Sequence, residues 1–205
     1  MKTLTTAFFT TLAVLFSVTI VSSCSKALNI QGAWQASPSR LDIPGAADAT
    51  ATVTVDFGTA DGSGTGDVNL SAVINIQQAV SADAPAVEMP WMQNIAATAS
   101  VTGRYMSSEH DDDDIILSLN PSTLTVNVDP SGISYNEDML SGMDSAAVDS
   151  LTAATADRWR VLITNAIRAE FDRYTTIEDV KIHHGEIMSA EICDRDVTLR
   201  NTASL

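Results

Sequence analysis

The sequence predicts a mainly β domain, an antiparallel barrel carrying one long helical insertion before its last strands. Three observations predict it. Apolar and polar residues alternate from Asn29 to about Tyr135, the period becomes helical between about residues 145 and 175, and alternation then returns. An antiparallel β-sandwich is the other architecture compatible with this pattern.

The first clear strand holds Val53, Val55 and Phe57 on one face, with Thr52, Thr54 and Asp56 on the other. The next sets Val68, Leu70, Ala72, Ile74 and Ile76 against Asn69, Ser71 and Asn75. A longer strand gathers Ile95, Ala97, Ala99, Val101, Gly103 and Tyr105, and two short ones follow, with Ile115, Leu117 and Leu119, then Leu124, Val126 and Val128. Strands patterned in this way bury one face and wet the other. Turn residues separate them: Asp61-Gly62-Ser63-Gly64, Pro85, Pro90, the Asp111 to Asp114 run, Asn120-Pro121 and Asp129-Pro130-Ser131-Gly132.

In the helical stretch, Leu151, Thr155, Trp159, Leu162 and Ala166, with Ile163, Ile167, Phe171 and Tyr174, form a broad apolar face. Most of the charged side chains from Arg158 to Arg173 fall outside it. Val180 and Ile182, then Met188, Ala190 and Ile192, then Val197 and Leu199 complete eight to ten strands. No repeat or linker interrupts residues 29–205, so they read as one domain.

Closure into a barrel removes exposed strand edges. Gly32-Ala33-Trp34, at the start of the first strand, resembles the Gly-x-Trp of lipocalins. The resemblance implies a lipocalin-like (calycin) barrel in which Gly32 and Trp34 close one end and a late basic residue, Arg200, covers the indole by a cation–π contact. In that family the helix follows the barrel; here it precedes the last strands.

Residues 3–25 are uncharged and lie between Lys2 and Lys26, with an apolar run through Phe8, Phe9, Leu12, Leu15, Phe16, Ile20 and Val21. A basic start and such a run read as a secretory signal ending in small residues. Val21-Ser22-Ser23-Cys24 resembles the lipobox of bacterial lipoproteins, which implies a signal peptide over 1–23, acylation of Cys24 and a tether over 24–28. The partner is then a membrane, reached through N-terminal acyl chains whose buried CH₂ groups contribute about 0.8 kcal/mol each. Ser25 after the cysteine resembles lipoproteins of the Gram-negative outer membrane, which implies that location, and the lack of an acidic cluster in Ser25-Lys26-Ala27-Leu28 implies its periplasmic side. An uncleaved anchor is the other reading of the length, and the Ser and Thr content opposes it.

The chain holds 11 Lys and Arg against 26 Asp and Glu, and loss of the leader removes one basic residue, Lys2. A polyanion is repelled and no basic stripe offsets this, so nucleic acid is excluded as a partner. With Cys24 acylated, Cys193 is the sole remaining thiol and forms no intrachain disulfide. An apolar fraction of 45% over 205 residues, of which those from Cys24 onward remain after loss of the leader, is enough for a core without such bridges.

Catalysis has little to draw on. Only His110, His183 and His184 are available as acid–base groups, and there is no Gly-x-Ser-x-Gly elbow, His-Glu-x-x-His helix or Walker loop. A non-catalytic module without cofactor or metal is the expectation. His183 and His184, adjacent on a strand, point to opposite faces and flank a turn at Gly185. Asp61 to Asn69 resembles the first half of a calcium loop but has Ala72 where the closing glutamate belongs, and Glu109 to Asp114 is a run of carboxylates. Both read first as solvated turns.

Two features point to binding. Met89, Trp91 and Met92, around Pro90, form a candidate apolar patch for a ligand or partner protein. Ala97, Ala99 and Gly103 leave interior room, either for a small hydrophobic molecule or for the helix, whose Trp159, Ile163 and Phe171 need a surface to cover. A helix in that space leaves the outer surface as the functional part; the alternative function is a structural, adhesion or assembly component of the envelope, stabilised by calcium at the acidic loops. Replacement Cys24→Ala is expected to abolish incorporation of labelled fatty acid and to release the protein from the membrane fraction; unchanged fractionation refutes the anchor.

Overall fold

The computed structural model describes residues 29–46, 48–77, 94–107, 113–135 and 140–204. The expected signal peptide, Cys24, the tether and the Met89, Trp91 and Met92 patch lie outside the described residues.

The described residues form ten strands: β1 (Gly32–Ala36), β2 (Ser39–Arg40), β3 (Asp48–Phe57), β4 (Thr65–Gln77), β5 (Asn94–Ser107), β6 (Ile115–Leu119), β7 (Thr125–Val128), β8 (Thr176–His183), β9 (Ile187–Glu191) and β10 (Asp196–Asn201). One long helix, α1 (Ser145–Glu170), lies between β7 and β8. Eight strands close an antiparallel barrel in the order β1-β10-β9-β8-β6-β5-β4-β3, and β3 returns to β1. Chain neighbours are sheet neighbours throughout, so the barrel is of the up-and-down kind.

The other two strands continue their predecessors. Pairing along β3 passes from Gln35↔Thr54 to Ser39↔Ala51, with one extra residue and Pro38 at the break. Along β5 it passes from Gly103↔Leu119 to Ser100↔Thr125, the surplus residues forming a 3-10 turn, Pro121–Thr123, capped by the Asn120 side chain. Each break falls at a proline, which has no N–H for the ladder.

Strand length determines where the core goes. At about 3.3 Å per residue, β4 with 13 residues runs roughly 43 Å and β6 with five only about 17 Å. The long strands β3, β4 and β5 therefore project beyond the closed ring, and their inner face needs a cover. Helix α1 supplies it. Asp144 caps its start by accepting a hydrogen bond from the Ala147 N–H at 2.8 Å, and Ala156, Trp159 and Ile163 are buried against Ala49, Ala51, Ile74, Ile76, Ile95, Ala97 and Ala99. The expected helical face is observed up to Ile167; Phe171, in a 3-10 turn, and Tyr174, 41% exposed, lie beyond the helix. None of the described helices is long and apolar enough to cross a membrane.

A second apolar cluster fills the ring. Ile30, Trp34, Val55, Phe57, Val68, Tyr105, Ile115, Ile177, Val180, Met188 and Leu199 meet there, with the Phe57 and Tyr105 rings edge to face at 5.1 Å. Tyr105 needs Gly66 beside it, because a Cβ at that position would strike its ring. At Gly103 the neighbour is backbone: a Cβ would meet the Ser118 carbonyl of β6. Gly103 thus serves strand approach and makes no interior space.

Gly103→Ala is expected to cost about 1–3 kcal/mol in urea unfolding, as overpacking does, because the obstructing atoms are main chain and cannot swing aside. Gly62→Ala, with open space around it, is the control and is expected to stay within about 0.5 kcal/mol of the parent.

Candidate functional site

At the end of the ring where the chain enters, Gly32 adopts φ +113°, a region that a side chain rarely tolerates. The bend brings the Ile30 carbonyl to the indole of Trp34, whose Nε1 donates to it at 2.7 Å. Trp34 is 1% exposed and its single polar atom is satisfied. Gly32 and Trp34 thus act together: the glycine turns the chain and the tryptophan seals the ring.

Arg200 does not cover that ring. The register sets Arg200 opposite Gln35 and sets Asn201 opposite Trp34. Side chains alternate along a strand, so Arg200 emerges exposed on the outer face, one residue out of phase with the indole. The expectation placed a cation on the ring from its position in the chain and ignored this phase. The Asn201 side chain is engaged with the main chain: its Nδ2 donates to the Gly185 carbonyl at 3.1 Å, and its Oδ1 accepts from the Ala203 N–H at 2.9 Å.

The candidate calcium loop is the β3–β4 connection. Asp61 accepts from the Ser63 hydroxyl at 2.6 Å, the Ser63 N–H at 2.9 Å and the Thr65 N–H at 3.1 Å, while Gly64 has φ +77°. These hydrogen bonds hold its carboxyl below the usual carboxylate range. The loop is folded by its own side chain. Of the acidic run, Glu109 to Asp112 lie outside the described residues; Asp113 and Asp114 accept from the Val180 and Asp179 N–H groups at 2.7 and 3.1 Å. His183 ends β8 beside the Ser189 hydroxyl at 3.4 Å, and His184 occupies the turn at φ +54°. Cys193, also in a turn, donates to the Arg173 carbonyl at 3.1 Å. Among the described residues, no three His, Cys, Asp or Glu converge as a metal would require.

A concave feature that the sequence reading missed lies on the outer face. A trough of about 230 Å³ runs over β3, β4, β5 and β7, lined by Thr52, Thr54, Ser71, Val73, Thr98, Ser100, Thr125 and Asn127. These side chains form two rows across the strands, Thr54–Ser71–Ser100–Thr125 and Thr52–Val73–Thr98–Asn127. Ser100 and Thr125 share a hydrogen bond of 2.8 Å, and Val73, 52% exposed, is the only large apolar side chain in either row. The trough carries no formal charge in a strongly anionic chain. Its signal in the sequence is the outward half of the alternation, filled by Ser, Thr and Asn in place of Lys and Glu.

On the opposite side of the ring the outer face is acidic. Glu178, Glu191 and Asp196 stand in one row across β8, β9 and β10. Desolvation pushes the Glu191 carboxyl up, and repulsion from Glu178, Asp194, Asp196 and Asp179 adds to it. A carboxyl raised in the folded state binds its proton more tightly there than in the unfolded chain. The barrel therefore gains stability as pH falls from 7 towards the ordinary glutamate value of about 4.3. At still lower pH, Asp61 and Asp129, both held low by hydrogen bonds from serine, reverse the trend.

Urea unfolding of Glu191→Gln is expected to show higher stability than the parent at pH 7 and a smaller gain on acidification to about pH 5; identical curves refute the repulsive row. The chain matches no family model, no curated protein and no solved structure.

Proposed function

We propose that the chain is a lipid-tethered, non-catalytic module of the bacterial envelope that engages a partner protein through its outer surface. The observation that supports this is the position of α1. A carrier of small apolar molecules needs the inner face of β3, β4 and β5, and Trp159, 3% exposed, and Ile163 occupy that face. The ring below is filled by Trp34, Phe57, Tyr105 and Met188. Interior room provided by Ala97 and Ala99 is taken by the protein's own helix.

The tether would arise from Cys24 and enter the barrel at Gly32, on the periplasmic side of the outer membrane. Anchoring of this kind raises the local concentration of the module at one surface, so a weak contact is enough for stable engagement. The outer face offers small neutral side chains on one side and carboxylates on the other.

Native mass spectrometry of protein purified from its own cells is expected to show the N-terminal acyl group and no further apolar molecule. A photo-crosslinking side chain at Val73 is expected to capture an envelope protein. A stoichiometric lipid in the spectrum overturns the reading in favour of a carrier.

A further inference from the structure

The barrel is closed by seams of very unequal length. β4 and β5 share 13 register pairs, from Thr65↔Met106 to Gln77↔Asn94, and β3 and β4 share ten. Among the described residues, β6 and β8 share two, Ile115↔Ile177 and Ile116↔Thr176. Two further backbone bonds extend this seam, from the Leu117 N–H to the Thr175 carbonyl at 2.7 Å and from the Val180 N–H to the Asp113 carbonyl at 2.7 Å. The β6–β8 seam also lacks a hairpin, because residues 120–175 with α1 intervene, so its closure carries a loop entropy cost that the hairpin seams avoid.

The seam ends on an irregular backbone. The pairing of β8 with β9 shifts between Glu178 and Lys181, and Asp179 within that shift has φ +52°, the left-handed region disfavoured for a residue with a Cβ. Its N–H is held by the Asp114 carboxylate at 3.1 Å. On the other side of β8, the like charges of Glu178, Glu191 and Asp196 face one another with Asp194 nearby; Arg195 lies in the same turn and Lys181 one row away.

From the short seam, the missing hairpin and the left-handed residue together, we infer that the β6–β8 seam is the hinge at which the barrel opens locally while β3, β4 and β5 stay paired. Opening parts Ile115 from Ile177 and admits water to that side of the lower cluster. It exposes a small part of the core, whereas opening of β4 from β5 disrupts both clusters, so it is the lower in free energy. This inference is independent of what the outer surface binds.

Hydrogen exchange on the full chain, read by NMR, tests it. The Leu117 and Val180 amides are expected to exchange about tenfold faster or more than those of β4 and β5. Ile116 and Thr176 are a non-hydrogen-bonded pair with an expected Cα separation of about 4.5 Å, within disulfide reach. In an Ile116→Cys, Thr176→Cys, Cys193→Ser variant, oxidation is expected to slow Leu117 and Val180 to the rate of their neighbours, and reduction to restore it. Equal protection of the seam and of β4 in the parent chain overturns the inference, without need of the variant. Exchange unaltered by the crosslink overturns it also.

Discussion

Closure of eight strands of unequal length into one antiparallel ring is the constraint on which the rest depends. Three strands too long for the ring carry an apolar inner face past its rim. That face must be covered, and Trp159 and Ile163 of α1 do so where Ala97 and Ala99 leave depth for them. The helix sits between β7 and β8 because β7, the continuation of β6 along β5, ends beside the face that needs covering. A helix after the last strand would start from β10, at the other end of the barrel. Burial of the overhang thus gives the position of the helix before the last strands a physical reason.

Much of this was legible in the residues. Alternation placed Val55, Phe57, Val68, Ile74, Ile76, Ile95 and Val101 inward, and each is buried. The helical period placed Trp159 and Ile163 correctly because an amphipathic face follows directly from spacing. Phase between distant strands was not legible. Whether Arg200 or Asn201 meets Trp34 depends on a register offset of one residue, and such an offset is set by the whole ring rather than by local pattern. The trough was missed for a related reason: its rows assemble residues up to 75 positions apart, which share a surface only after β3, β4, β5 and β7 are aligned. Gly103 was read as space because a missing side chain looks alike in sequence whether it admits a ligand or a neighbouring strand.

Charge is distributed in keeping with this architecture. The carboxylates of Asp61 and Asp129 and the side-chain amide of Asn120 hold turns, each oxygen accepting from a nearby serine hydroxyl. Among the described residues the row on β8, β9 and β10 has no such partner, and the repulsion within it helps push the Glu191 carboxyl up. Local conflict of this kind is a reason to expect mobility where it occurs, on the side of the ring whose seam is the shortest among the described residues.

The two proline breaks have one more consequence. The overhanging sheet is open at both margins, and a long bare margin invites a second molecule to add its own strand, the first step towards fibrils. Here one margin is β2, two exposed residues ending in Arg40 and preceded by Pro38, and the other is β7, four residues long and followed by Pro130. Neither offers a template of useful length. Such blunted margins let copies of this chain collide at high concentration without polymerising.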